Sequence, residues 1–488
     1  MKEISYQSTR GSERVSAAQA VLRGLAPDGG LYVSAELSAL DFDWRRCLTL
    51  SAQEMSAMLL SALLPGLGDM ETLAHKAYDG KFETEELTPL VPVGTDYALE
   101  LYRGPTSAFK DVALSVLPRL ITAARRAEGE DGLCCILTAT SGDTGKAALE
   151  GFKDVEGTRV IVFFPNRGVS AVQKAQMLTQ EGNNLTVCAV EGNFDDCQRG
   201  VKEAFAALGE KLPAGVSLSS ANSINIGRLV PQLMYYFRAY ADLVDSGCIK
   251  AGEEVDFTVP TGNFGDILAG YMAGLLGLPV GRLVCASNAN RVLTDFFETG
   301  IYDARRELVK TASPSMDILV SSNLERLLFL VTGDTGLVRA CMESLGREGS
   351  YRLPEEVMAQ LRTKFSAACC SDAEAAREIA ALWERERYLC DSHTAVGFAC
   401  AEKCRRERVP MVVLSTASPY KFPRFVLSAL GESAAEDEFA DMEKLQALTG
   451  VPIPKNLAGL RERTVRHKDV IARDAVTAYV AGKLEEKA

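Results

Sequence analysis

Short apolar runs alternate with helix-like stretches from about residue 98 onward. CCILTA (134–139), RVIVFF (159–164) and LTVCAV (185–190) are rich in β-branched residues, and a helical pattern follows each. A second set, VDFTVP (255–260), RLVCAS (282–287) and PMVVLST (410–416), repeats the arrangement. A recurring βα pattern predicts parallel sheets covered on both faces. The segment 323–389, rich in Glu, Arg, Ala and Leu, reads as a solvated helical insertion between the last two strands. The first ninety or so residues read as mostly helical: SAQEMSAMLLSALL (51–64) has helical apolar spacing, and LAPDGGLYV (25–33) is a turn leading into a short extended run. The expected fold class is therefore α/β, with two lobes and a small, mostly helical N-terminal domain. The expected divisions are 1–92, 93–240 and 241–488. In such sheets ligands bind beyond the carboxyl ends of the strands, so the loops there are where chemistry is expected.

Composition narrows the partners. The chain has 488 residues, 47% hydrophobic and 24% charged, with a formal net charge of −12. That charge argues against nucleic acid or an anionic membrane as the main partner, but leaves room for a locally basic pocket holding a small anion. No apolar run approaches a membrane span, and the polar opening MKEISYQSTRGSERV lacks a signal-peptide core. A cytoplasmic protein, monomeric or homodimeric, is expected. Thirteen scattered cysteines without a C-x-x-C fit reduced, buried thiols, and three widely separated histidines predict no metal site.

Four loops carry candidate chemistry. After the strand at 134–139 come Thr140, Ser141, Gly142, Asp143, Thr144 and Gly145, opening a helix whose free N–H groups suit a carboxylate or phosphate. After 255–260 come Gly262, Asn263, Phe264, Gly265 and Asp266, where two glycines allow close backbone approach to a phosphate. The strand at 410–416 ends on Ser415 and Thr416. The fourth loop, GPTSAFKD (104–111), places Lys110 at the start of an apolar helix. If buried, that ammonium is disfavoured and its amine suits Schiff-base chemistry; position alone fits a surface lysine as well. The 140–147 segment imitates a nucleotide-binding P-loop but has Thr140 in place of the first glycine and Ala147 where a magnesium-binding hydroxyl belongs.

The ordered set GPTSAFKD, SGDTG, GNFGD and STASPYKF resembles the threonine synthase family in its longer bacterial and fungal form, within the tryptophan-synthase-β-like pyridoxal 5′-phosphate (PLP) enzymes of fold type II. The resemblance runs from YQSTRG and GLAPDGGLYV through EGNFDDCQ, ANSINIGRLVPQ, SPSMDILVSSNLERLL and DSHTAVG. It implies that Lys110 carries PLP, that Gly262, Asn263, Phe264, Gly265 and Asp266 hold its phosphate, and that Thr416, or less readily Ser415, faces the pyridine nitrogen. It also implies that Thr140, Ser141, Gly142, Asp143 and Thr144 receive the substrate carboxylate beside the cofactor. Asn222, Ser223, Asn225 and Arg228 become candidates for the substrate phosphate; for Arg228 a surface helix position is an equal alternative. The implied reaction is γ-elimination of phosphate from O-phospho-L-homoserine, then water addition at the β-carbon. A related phospho-lyase releasing 2-oxobutyrate and ammonia is the alternative. Two positions depart from the family pattern, Arg103 and Ser418, each standing where many members have histidine.

Overall fold

A computed structural model describes residues 4–209 and 211–485. Two mostly parallel sheets form its frame. The first has five parallel strands in the order Asp469–Ala472, Leu185–Glu191, Thr158–Pro165, Leu133–Ala139, Val216–Ser220. The second has six, in the order Phe365–Cys369, Val280–Ser287, Val255–Pro260, Met411–Ser415, Asp96–Glu100, Leu90–Val93, with only the last pair antiparallel.

Successive side chains point to opposite faces of a strand, and here both faces are dry. Val160, Val162 and Phe164 enter the largest apolar core, while Ile161 and Phe163 enter a separate one against Val476 and Val480. Ile136 and Leu137 divide in the same way. This is why the strands read as continuous apolar runs rather than as an alternation.

The linear division expected at 240/241 does not coincide with the sheets. The strand Asp96–Glu100 belongs to the second sheet, although Lys110 follows it by only ten residues, and Asp469–Ala472 returns to pair with the first sheet. The chain thus crosses from the second sheet to the first through the lysine loop, returns to the second after Val216–Ser220, and crosses once more after Met411–Ser415. The insertion expected at 323–389 is also revised. It holds the helices Leu324–Thr332, Thr335–Glu348, Glu355–Lys364 and Asp372–Glu386, but also the strand Phe365–Cys369, which forms an edge of the second sheet. It is therefore part of the lobe, and its first helix is buried on all sides from Leu324 to Phe329.

The N-terminal domain has the expected helix Ala52–Leu63, started by a Ser51–Glu54 capping box, and the helices Ala17–Arg23 and Met70–Tyr78. It adds a three-stranded antiparallel sheet of Tyr6–Ser8, Arg14–Val15 and Tyr32–Val33. Its apolar side chains join the largest core, so it is packed as one body with the lobes. Ten of the thirteen cysteines are buried and none is in a disulfide. Among the described residues no helix is long and apolar enough to cross a membrane, and no cluster of His, Cys, Asp or Glu could hold a metal ion.

Candidate active site

Lys110 opens the helix Lys110–Leu114 and is buried. The loop before it is stitched to the end of the strand Met411–Ser415: Phe109 N–H donates to the Thr416 carbonyl at 2.9 Å, and Ser418 N–H to the Ser107 carbonyl at 3.1 Å. Ser107 has a φ of +60°, a left-handed conformation that costs a non-glycine residue about a kilocalorie or more. Asn456, from the C-terminal segment, holds that conformation from two sides. Its side-chain oxygen accepts from Ser107 Oγ at 2.8 Å, and its amide donates to the Gly104 carbonyl at 3.1 Å.

Burial lowers the pKa of Lys110, and the positive charges of Lys421 and Arg228 push the same way; Asp143 and Asp266 oppose them. The buried position, left open by the sequence, is thus what the structure shows, and burial makes the charged form of the amine less favourable than at a surface. Phe109 lies against it, with the Nζ 4.6 Å from the ring centre.

The loop Thr140–Thr144 lies alongside. Thr140 Oγ1 accepts from the N–H groups of Gly142 and Gly145, each at 2.9 Å, which folds the loop into the start of the helix Asp143–Phe152. Gly142 has a φ of +149°, and a Cβ there would stand 2.6 Å from the Gln173 amide, so only glycine fits. Gln173 donates to Asp143 at 2.7 Å. Asp143 Oδ2 is 3.6 Å from Lys110 Nζ, and its Oδ1 is 2.5 Å from Lys421 Nζ. Burial would raise the pKa of Asp143, but the ammonium groups of Lys421 and then Lys110 hold it well below the usual carboxylate range. Ser141 and Thr144 are half-buried beside it.

Across from Lys110, Gly262 to Asp266 lead into the helix Gly265–Leu275. Phe264 sits at φ +63° with its ring buried against Phe297, while Asn263 is exposed. A Cβ on Gly262 would stand 2.6 Å from the Ser315 carbonyl oxygen, so the segment 313–317 covers this loop closely. A Cβ on Gly265 would reach Asn323 Nδ2 at 3.5 Å, Gln232 Nε2 at 3.7 Å and Ser223 Cβ at 3.8 Å. The missing side chain thus leaves a small space beside amide donors at a helix start, which is what a phosphate monoester needs. Asp266 is pushed up to about 6 by its burial.

The 222–228 segment divides by role. Asn225 caps the short turn after it, accepting from Gly227 N–H at 2.8 Å, and donates to the Val21 carbonyl at 2.9 Å; both ends of its amide are engaged. Asn222 and Ser223 are half-buried. Arg228 is 3% exposed, donates through Nη1 to the Ala221 carbonyl at 2.8 Å, and leaves Nε buried without a partner. No carboxylate among the described residues pairs with it, and burial lowers its pKa to about 10. The surface alternative for Arg228 is excluded by this burial.

At the remaining strand end, the Ser415 hydroxyl lies 3.1 Å from both Tyr388 Oη and Thr394 Oγ1, so it is engaged in a network that Thr416 does not share. The two departures from the family pattern are also engaged. Arg103 is bound to Glu100 at 2.6 Å and Glu83 at 3.0 Å, and Ser418 caps a short turn by accepting from Tyr420 N–H at 3.3 Å. Sequence reasoning missed Lys421, Gln173 and Asn456. Lys421 alone carried a signal, being a lysine enclosed by aromatic residues and prolines in SPYKFP.

Comparison with known proteins gives this geometry its class. Residues 85–415 match the family described as pyridoxal-phosphate dependent enzyme, and the chain superposes on the PLP-bound threonine synthase of Brucella melitensis over 99% of its length and 100% of that chain, with a TM-score of 0.86 and 36% identity. The molecule is a PLP-dependent enzyme of fold type II. Residues 5–78 match the threonine synthase N terminus family and residues 394–480 the threonine synthase C-terminal family. The chain is 38% identical over 475 residues to the threonine synthase of Pseudomonas aeruginosa, covering 95% of each. It belongs to the threonine synthase family. It is also 39% identical over 444 residues to the threonine synthase-like 1 protein of Macaca fascicularis, which takes in 86% of this chain and 59% of that longer one. The residues on hand fit the cofactor: a buried amine for its aldehyde and a glycine-lined helix start for its phosphate.

Proposed function

We propose that the chain converts O-phospho-L-homoserine and water into L-threonine and phosphate. The observation that carries this reading is Arg228, a buried guanidinium with an unsatisfied Nε and no acidic partner, whose charge reaches Lys110. An uncompensated buried cation is unfavourable unless a ligand neutralises it, and guanidinium pairs with phosphate oxygens in a bidentate way. A substrate phosphate, held within reach of the lysine that works at the other end of the same small molecule, answers both conditions.

In this reading Lys110 carries PLP, the Gly262–Asp266 loop holds the PLP phosphate, and Thr416 faces the ring nitrogen, since Ser415 is engaged elsewhere. Bound there, the cofactor supplies the electron sink that makes protons at the substrate α- and β-carbons removable. Thr140 shapes the helix start at which Ser141, Gly142, Asp143 and Thr144 receive the substrate carboxylate. Lys110, whose burial lowers the cost of giving up its proton, takes and returns protons at the α- and β-carbons. Arg228 holds the phosphate as it leaves, with Asn222 and Ser223 beside it. Asn225 keeps their loop in place through its cap. The reducing cytoplasm suits the buried thiols.

Incubation with O-phospho-L-homoserine, measuring phosphate, threonine and ammonia together, tests this. Phosphate and threonine in equal amounts support the reading. Phosphate matched by ammonia and 2-oxobutyrate overturns it in favour of the phospho-lyase.

A further inference from the structure

Asp143 serves two cations at once. Lys421 Nζ lies 2.5 Å from Asp143 Oδ1 and Lys110 Nζ lies 3.6 Å from Oδ2. Lys421 is 0% exposed, and its ammonium has one other partner, the carbonyl oxygen of Thr106 at 3.2 Å. Thr106 belongs to the loop that leads into Lys110, so Lys421 ties together the SGDTG loop, the lysine loop and the turn after Thr416. Gln173 donates to the same Asp143 oxygen at 2.7 Å and gives the carboxylate a second fixed contact.

The pairing is unequal. The shorter, hydrogen-bonded contact goes to Lys421, and the longer one goes to the residue whose nitrogen must react. A fully buried ammonium is held only when paired and hydrogen-bonded, so a lysine placed here has a permanent task. The other charged groups that face Lys110 are Arg228, in the short helix Ile226–Leu229, and Asp266, in the first turn of the helix Gly265–Leu275. Asp111, its neighbour along the helix, accepts from Thr106 N–H at 2.8 Å and also faces Lys421.

We propose that Lys421 is a positioning residue: as the resident counter-ion of Asp143, it keeps that carboxylate from becoming a tight partner of Lys110 and so leaves the Lys110 nitrogen free to gain and lose a proton. This rests on the assignment of Lys110 to cofactor and proton transfer. Without the Lys421 ammonium, Asp143 turns to the next cation, Lys110, and stabilises its charged form. The pKa of the Lys110 nitrogen then rises, and each unit lowers the neutral fraction about tenfold at a fixed lower pH.

The test uses the full, cofactor-loaded chain and two readouts, the pH profile of threonine formation and the pH titration of the visible absorption band. In Lys421→Met both midpoints move up by about one unit, so the activity lost at low pH returns as pH is raised. Adding Asp143→Asn to Lys421→Met removes the carboxylate, and the upward shift of the band disappears. An activity loss by the same factor at every pH, with the band titrating as in the parent chain, overturns the proposal. If Lys421→Met does not fold, Lys421→Gln removes the charge while keeping a donor, and the same shift is expected of it. Should the parent chain make no threonine, the functional reading fails, while the band titration still decides the role of Lys421.

Discussion

Arg326 Nε donates to the carbonyl oxygen of Tyr32 at 2.9 Å, joining the first helix of the 323–389 segment to the N-terminal sheet. The same guanidinium donates to the Ile224 carbonyl at 2.5 Å and to the Asn323 side chain. Next to it, Glu325 accepts from Thr9 Oγ1 at 2.6 Å and from Leu31 N–H at 3.0 Å. One turn of helix therefore docks the N-terminal domain and fixes the loop that presents Ser223 and Arg228. Arg326→Met leaves two buried carbonyls unsatisfied, and a loss of about 2–4 kcal/mol is expected in urea unfolding. Arg326→Lys recovers only part of this, because an ammonium on a single stem cannot serve three acceptors in different directions.

Arg228→Met separates binding from stability. The variant loses a charge-assisted contact with the substrate phosphate worth about 1.5–3 kcal/mol, so kcat/KM falls by roughly 10- to 150-fold. The fold is expected to change little, since the lost hydrogen bond to the Ala221 carbonyl is offset by removing a buried guanidinium that has no acidic partner and an unsatisfied Nε. Steady-state kinetics with O-phospho-L-homoserine, set beside thermal unfolding, check both halves. An equal loss of stability and activity would make Arg228 a structural residue.

Lys110→Ala abolishes covalent attachment of the cofactor. The visible band that borohydride removes from the parent chain is expected to be absent, and threonine formation to fall by about a thousandfold or more, as when a residue serving both as covalent carrier and as base is removed. Threonine formation at the parent rate would end the assignment.

Asn456→Ala releases the clamp on Ser107. Two hydrogen bonds, each worth about 1 kcal/mol, hold a backbone conformation that serine does not favour. The loop relaxes and Lys110 loses its placement, so kcat is expected to drop about tenfold or more with little change in KM. Ser107→Gly in the same chain restores part of the rate, because glycine adopts this φ without strain. Failure of the glycine to restore anything would place the effect of Asn456 elsewhere.

The sequence made the strands and their order within each βα unit legible, because strands covered on both faces are apolar throughout and short. Val255–Pro260 was read to the residue. It did not reveal Phe365–Cys369 or Asp469–Ala472, which are short, less apolar and lie at sheet edges, where pairing with a distant strand decides the conformation. The loops of the site were readable from glycines and hydroxyl residues at strand ends. Lys421, Gln173 and Asn456 were not, since each acts through contact with a loop remote in sequence: Lys421 and Asn456 lie 278 and 349 residues from Asp143 and Ser107, respectively. The aromatic residues and prolines around Lys421 in SPYKFP hint at its enclosure but name no partner, and only the fold places it beside Asp143.

The buried carboxyls give stability a distinctive slope with pH. Asp266 and Asp111 are both raised from 3.8 to about 6, in each case by burial. Their neutral forms are favoured in the folded chain, so their contribution is complete below about pH 4 and is lost as pH rises through about 6. Asp143 works in the opposite sense, since its depressed pKa adds stability that is lost only as pH falls below the ordinary carboxylate range. Between pH 4 and 6 the decline thus belongs to Asp266 and Asp111, at on the order of 3 kcal/mol each for a shift of about two units. Asp266→Asn, a neutral side chain of the same shape, should raise the unfolding free energy by about that amount at pH 7 and leave it unchanged at pH 4. Urea unfolding of the chain stripped of cofactor at the two pH values measures this without a contribution from binding. About half of the slope should remain in the variant, carried by Asp111. An Asp266→Asn chain that is no more stable than the parent at pH 7 would mean that Asp266 is ionised in the fold without penalty.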